Sequence, residues 1–151
     1  MSRAQACIAI LFACIVGFAD AFFKQIALAR FPSDGSRVSF PLGFALHKNP
    51  GIAFDIAIPL PIVFLLTAGV SVWLIHRLIQ SWKKHQFEEA TSSAFILIGA
   101  YGNLVDRWTH GFTTDYIILF RLSAINLSDV LILVGMIGFL WYYSRNPQTR
   151  S

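Results

Sequence analysis

Residues 56–79 read IAIPLPIVFLLTAGVSVWLIHRLI. Apart from one Arg and one His near its end, this run carries no group that hydrocarbon would reject. As a helix it measures about 36 Å, enough to cross a bilayer core of about 30 Å. Pro59 and Pro61 fall in its first turns, where a missing backbone N–H costs least. Three further apolar segments occupy residues 4–29, 90–105 and 127–143. The first is uncharged over residues 6–19, ACIAILFACIVGFA. The third is short for a span, at about 24 Å. The fourth closes on Trp141, Tyr142 and Tyr143, an aromatic trio suited to a membrane interface.

Composition agrees with this reading. The chain has 151 residues, 56% hydrophobic and 13% charged, with a mean hydropathy of +0.61. A soluble domain carries about a quarter charged residues. The expected fold is an all-α integral membrane protein: one domain, residues 1–151, built as a four-transmembrane-helix bundle. The net charge of +4 suits anionic lipid headgroups. Its basic residues are scattered without interleaved aromatics, so nucleic acid is not an expected partner. Cys7 and Cys14 lie about 10 Å apart along one helix, too far for a disulfide, and read as small residues at a helix contact. His47, His76, His85 and His110 show no ligand spacing, so no metal is expected. The Ala27-Leu28-Ala29 sequence mimics a signal-peptide cleavage site. Asp20 and Lys24 interrupt its approach, and the first helix is expected to be retained.

The connections differ in character. Residues 30–55 form a long loop in which Val38, Phe40, Leu42, Phe44 and Leu46 recur at every second position. That period predicts a small β element, a strand pair within residues 38–49 at the membrane surface. Residues 76–89 read as a short polar loop, and Glu88 and Glu89 as solvated acids, like Asp34 and Asp55. Residues 107–126 read as a second long loop. Four spans place both termini on one side. Arg3, Arg77, Lys83, Lys84, Arg145 and Arg150 share that side with the middle loop. Lys24, Arg30, Arg37, Lys48, Arg107 and Arg121 lie opposite, but Lys24 and Arg107 sit beside acids at helix ends. Discounting those two, the positive-inside rule puts the termini in the cytoplasm.

On this topology the polar residues converge on one membrane face. Asp20 and Lys24 are i,i+4 on the first helix; Asn103, Asp106 and Arg107 close the third; Asn126 and Asp129 open the fourth. Asn49, Gly51 and Asp115 lie in the two outer loops. Ionisable groups near lipid are costly and turn inward to pair. A polar pocket near the outer interface follows. Taken singly, Asp20 with Lys24 could be a structural pair, Asp106 with Arg107 an interfacial anchor, and Asp129 an N-cap. No Ser, Cys or His constellation supplies a nucleophile with its base, which leaves carboxylate chemistry.

The ordered motifs resemble those of the bacterial lipoprotein signal peptidases, or signal peptidase II. Asp20-Ala21-Phe22-Phe23-Lys24 is similar to that family's Asp-x-x-x-Lys. Asn49-Pro50-Gly51-Ile52-Ala53-Phe54 is similar to Asn-x-Gly-x-Ala-Phe. The run Gly99-Ala100-Tyr101-Gly102-Asn103-Leu104-Val105-Asp106-Arg107 resembles Gly-Gly-Ala-x-Gly-Asn-x-x-Asp-Arg. Gly111-Phe112-Thr113-Thr114-Asp115-Tyr116 resembles Gly-x-x-x-Asp-Phe, and Asn126-Leu127-Ser128-Asp129 resembles Asn-x-Ala-Asp. The chain departs from the pattern at Ile98, Ile125 and Ser128.

The resemblance implies an aspartyl endopeptidase with Asp115 and Asp129 as catalytic residues. Asp20, Lys24, Asn49, Gly51, Asn103, Asp106, Arg107 and Asn126 are implied as supporting or substrate-binding residues. It implies lipidated prolipoprotein substrates and membrane lipids as partners, no metal and no organic cofactor. It places a monomer in the bacterial cytoplasmic (inner) membrane with its site toward the outer face. A non-catalytic relative that binds lipoproteins or lipid, and a small ion-coupled carrier, are the alternative readings. A carrier would hold its polar groups near the midplane between repeats, whereas these gather at one interface and no repeat is seen.

Overall fold

The computed structural model describes residues 1–31, 41–51, 58–120 and 122–146. Val38 and Phe40, at the start of the expected strand pair, lie outside these residues, as do Asp34 and Asp55. The described elements are α1 (Arg3–Arg30), β1 (Leu42–Asn49), α2 (Leu60–Lys83), α3 (Phe87–His110), β2 (Thr113–Leu119), β3 (Ser123–Ile125) and α4 (Leu127–Arg145). Helix dominates, and the strands form one small antiparallel sheet in the order β1-β2-β3.

Helices α1, α2 and α4 are long and apolar enough to cross a membrane. α3 is equally helical but more polar, with Glu88, Glu89, Ser92, Ser93, Asn103, Asp106 and Arg107 along it. It packs against α1, α2 and α4; Glu89, Ser92, Ser93, Asn103 and Asp106 are buried there, while Glu88 is exposed. The molecule is polar inside and apolar outside. Asp20, Glu89, Asp115 and Asn126 are among the most deeply buried side chains, while Phe18, Leu65 and Leu140 are exposed. Lipid, not water, suits such a surface.

Helix ends follow local chemistry. Ser2 caps α1 in a capping box with Gln5, and Asn126 caps α4 in one with Asp129. α3 stops at Gly111, whose φ of +81° is a left-handed conformation that a Cβ would disfavour. α3 and α4 approach closely through glycine. A Cβ on Gly99 would come within 2.4 Å of the Ser128 carbonyl oxygen, and one on Gly135 within 2.8 Å of the Ser92 carbonyl oxygen. Ile98, where the family pattern has glycine, is accommodated by Gly17 across the α1–α3 contact.

Several expectations are corrected. Among the described residues the first loop supplies one strand, not a strand pair. β1 pairs with β2, from the second long loop, and β2 pairs with β3. In β1, Leu42 and Phe44 are exposed, while Gly43 and Ala45 are buried. A bulge between Phe44 and His47 then resets the face, burying Leu46 and setting His47 opposite Asp115. The third helix begins at Phe87, inside the expected polar loop, and runs to His110, inside the expected second outer loop. Glu89 is therefore a helical residue, and it is fully buried. Arg77 Nε donates to its Oε1 at 2.8 Å, and the Tyr143 hydroxyl donates at 2.9 Å. The aromatic trio is split in consequence: Trp141 is exposed, Tyr142 is buried, and Tyr143 joins Arg77 and Glu89. Cys7 is exposed and Cys14 half-buried, so neither is enclosed in a helix contact as expected.

Candidate active site

The site forms where the C-terminal ends of α1 and α3 and the N-terminal end of α4 meet the sheet. Capping sets Asp129. Asn126 accepts the Asp129 backbone N–H through its side-chain oxygen, and its own backbone N–H donates to Asp129 Oδ2 at 3.1 Å. Asn103, one helix across, donates to Asp129 Oδ1 at 2.7 Å. Asp115 stands on β2. Asn126 Nδ2 donates to its Oδ1 at 2.6 Å and Asn49 Nδ2 to its Oδ2 at 3.2 Å. Asn126 thus touches both aspartates, one through its backbone and one through its side chain. The expectation that Asp129 is an N-cap is corrected, because Asn126 holds that position.

Behind this layer lies a charged one. Lys24 Nζ reaches Asp20 Oδ2 at 2.8 Å, Asp106 Oδ2 at 3.1 Å and Asn103 Oδ1 at 3.0 Å. Three acceptors match the three N–H bonds of an ammonium group. Asp106 Oδ2 also accepts the Thr114 backbone N–H at 2.9 Å, which fixes the residue beside Asp115. Asp106 and Arg107 therefore do not act together as an anchor. Asp106 is buried and faces Lys24, while Arg107 donates to the Gly51 carbonyl oxygen at 2.7 Å. Gly51 in turn donates to Asn49 Oδ1 at 2.9 Å. The ten residues singled out in the sequence form one connected network.

The network borders a pocket of about 390 Å³. Asp115, Asp129, Asn49, Asn103, Arg107 and Thr113 supply its polar lining. Ile125, Ile132, Leu133 and Met136 supply an apolar wall. Burial, reinforced by the charge of Asp129, pushes the Asp115 carboxyl up to about 7. Hydrogen bonds from Asn49 and Asn126 and the proximity of His47 oppose the rise without cancelling it. A second groove, of about 590 Å³, runs between α1 and α3 and does not include either of these two aspartates in its lining.

Residues 12–145 match the family model described as signal peptidase (SPase) II. The chain belongs to that family. A lipoprotein signal peptidase of Shewanella baltica (strain OS155 / ATCC BAA-1091) is 33% identical over 92% of this chain and 88% of that protein. One from Dichelobacter nodosus (strain VCS1703A) is 33% identical over 81% of this chain and 84% of that protein. Two solved structures described as a bacterial membrane enzyme share the fold. One has a TM-score of 0.76 at 18% identity, covering 99% of this chain and 93% of the other. The other has a TM-score of 0.69 at 22% identity, covering 91% of both. These relatives do not favour the carrier or the non-catalytic reading.

Four residues of this signal peptidase's site escaped the sequence reading of polar candidates. Thr113 and Thr114 are buried, and Thr113 lines the pocket. Tyr116 and Ser128 stand behind it, and both donate to Asp20. Ser128, noted in the sequence only as a departure from the family pattern, directly precedes Asp129. It points to Asp20 Oδ2 at 2.6 Å, because successive residues on a helix face different sides. Only the spacing of Tyr116 and Ser128 to Asp115 and Asp129 could have drawn attention to them.

Proposed function

We propose that this signal peptidase is an aspartyl endopeptidase in which Asp115 and Asp129 act as a dyad. Its substrates are prolipoproteins carrying a diacylglyceryl-modified cysteine, and the cut leaves that cysteine as the new N-terminus. The observation that carries this reading is the Asn126 bridge between two carboxylates on the wall of one pocket. Two carboxylates so placed do not both ionise readily, so one proton belongs to the pair. One carboxylate accepts a proton from water as the water attacks the scissile carbonyl carbon. The other carboxyl donates to the carbonyl oxygen, and the tetrahedral intermediate then collapses to acid and amine.

The remaining residues serve this step. Asn103, Asn126 and Asn49 orient the carboxylates through the bonds described above. Asp20, Lys24 and Asp106 order the pocket and take no part in proton transfer. Arg107 holds the loop at Gly51 and, with Thr113, offers donors to substrate carbonyls or headgroup phosphate. The apolar wall suits lipid chains or an apolar signal sequence.

All four helices cross the cytoplasmic membrane in this reading. α3 is long enough, at about 36 Å, and Glu89, Ser92, Ser93, Asn103 and Asp106 along it are buried in the bundle. The termini are cytoplasmic, the pocket opens at the outer face, and the protein acts as a monomer.

The test is cleavage itself. Purified protein in detergent is incubated with a diacylglyceryl-modified prolipoprotein and with the same precursor left unlipidated. Signal-peptide release from the lipidated form alone is expected. No release from either, by a folded preparation, would overturn the substrate assignment.

A further inference from the structure

Asp20 is remote in sequence from Asp115 and Asp129, yet four donors converge on its carboxylate. Lys24 Nζ and Ser128 Oγ meet Oδ2 at 2.8 and 2.6 Å. The Tyr116 hydroxyl and the Leu127 backbone N–H meet Oδ1, each at 2.9 Å. Tyr116 directly follows Asp115, and Ser128 directly precedes Asp129. At both positions the chain departs from the motif quoted above, with Tyr for Phe and Ser for Ala. Each departure adds one hydroxyl, and both hydroxyls reach the same carboxylate.

Their orientation excludes contact with substrate. Adjacent strand residues point to opposite faces, so Tyr116 turns to α1 while Asp115 faces the pocket. On α4, Ser128 lies against Gly102 of α3, where a Cβ would come within 2.4 Å of its Oγ. Neither residue lines the dyad pocket. Tyr116 is buried beside Ala27 and Leu46. Burial and the Asp20 charge hold its phenol above the usual range, so it remains a donor at any physiological pH.

We propose that Tyr116 and Ser128 are positioning residues. Their hydroxyls, gathered by Asp20, tie the backs of β2 and α4 to α1 and so set the separation of Asp115 from Asp129. The proposal rests on the dyad reading above. The groups facing the dyad are Asp20 and Lys24 from α1, His47 from β1, and Asp106 and Arg107 from α3. Of these, Asp20 is the one that ties both dyad segments through groups next to the two aspartates, by way of these two hydroxyls.

The test compares Tyr116→Phe, Ser128→Ala and their double variant in the full-length protein, cutting a lipidated prolipoprotein. Each single variant is expected to lower kcat about tenfold, as misplacement of reacting groups does, with KM changed less than about twofold. Carboxylates freed to move apart repel less, so the high-pH limb of the kcat/KM profile moves to lower pH. Tyr143→Phe serves as the control. It removes a buried-site hydroxyl near the opposite end of α3 and should reduce thermal stability without either kinetic change.

Wild-type kcat and an unmoved limb in folded Tyr116→Phe and Ser128→Ala would overturn the proposal, as would the same losses in Tyr143→Phe. If Tyr116→Phe does not survive extraction, Ser128→Ala, which removes one oxygen, decides the matter in unextracted membranes. Asp115→Asn and Asp129→Asn run alongside. Cleavage by either would refute the dyad reading. Inactivity of both, with normal positioning variants, would refute the present proposal alone.

Discussion

At the scale of single residues, the dyad's pH behaviour is the sharpest consequence. The Asp115 carboxyl titrates near 7 in the folded protein, against about 4 for an unperturbed Asp. A raised folded value means that protonation favours the fold. Its stabilising contribution is full below about pH 4 and is lost as pH rises through about 7. Activity should follow the shared proton and decline above neutral pH. In Asp129→Asn the repulsive charge is gone, so Asp115 should titrate lower, while burial keeps it above the unperturbed value. The carboxyl C=O infrared band against pH measures this directly; an unchanged midpoint in that variant would show that the two groups do not interact. The polar network itself was legible in the sequence, because i,i+3 and i,i+4 spacings and five ordered motifs mark it. Tyr116, Ser128 and Thr113 were not, because a lone hydroxyl has no spacing signature and acquires meaning only from what it faces.

Among the elements, α3 was the one most poorly read. Its first turn carries Glu88 and Glu89, which read in the sequence as solvated acids. Glu88 is exposed as that reading has it, but Glu89 is buried, and Arg77 and Tyr143 satisfy it. Arg77→Ala would leave that carboxylate buried without its cation, at a cost of about 3–5 kcal/mol. Glu89→Gln, which can keep a hydrogen bond to Tyr143, should lose less. Thermal unfolding in detergent distinguishes the two. At the other end of the α3–α4 contact, Gly99→Ala should lower both stability and cleavage. Its Cβ would press on the Ser128 carbonyl oxygen, one residue from Asp129. Gly69→Ala on α2 meets nothing within 4 Å and should be neutral or slightly stabilising, by up to about 1 kcal/mol. Equal losses at Gly69 and Gly99 would contradict the close-contact account. The sheet was half legible: a period of two revealed β1, but a strand's partner in a distant loop leaves no local trace.

For the whole molecule, the inside-out distribution of polarity explains how 151 residues can hold a charged cluster without a water-facing core. The bilayer supplies the apolar surroundings, and the bundle covers what the bilayer would reject. Orientation is tested by a single cysteine at position 85, in the exposed α2–α3 turn, after Cys7 and Cys14 are replaced by serine. It should be labelled only from the cytoplasmic side; labelling from outside would put the pocket on the wrong face. The central claim is that Asp115 and Asp129 perform the cleavage together, and one measurement addresses it most directly. Wild type, Asp115→Asn, Asp129→Asn and the double variant are each purified, checked for fold, and assayed for signal-peptide release from a lipidated prolipoprotein. The account predicts loss of cleavage in every variant, with the double no worse than either single, because the two carboxylates work as a unit. Near-normal turnover by folded Asp115→Asn or Asp129→Asn would contradict it.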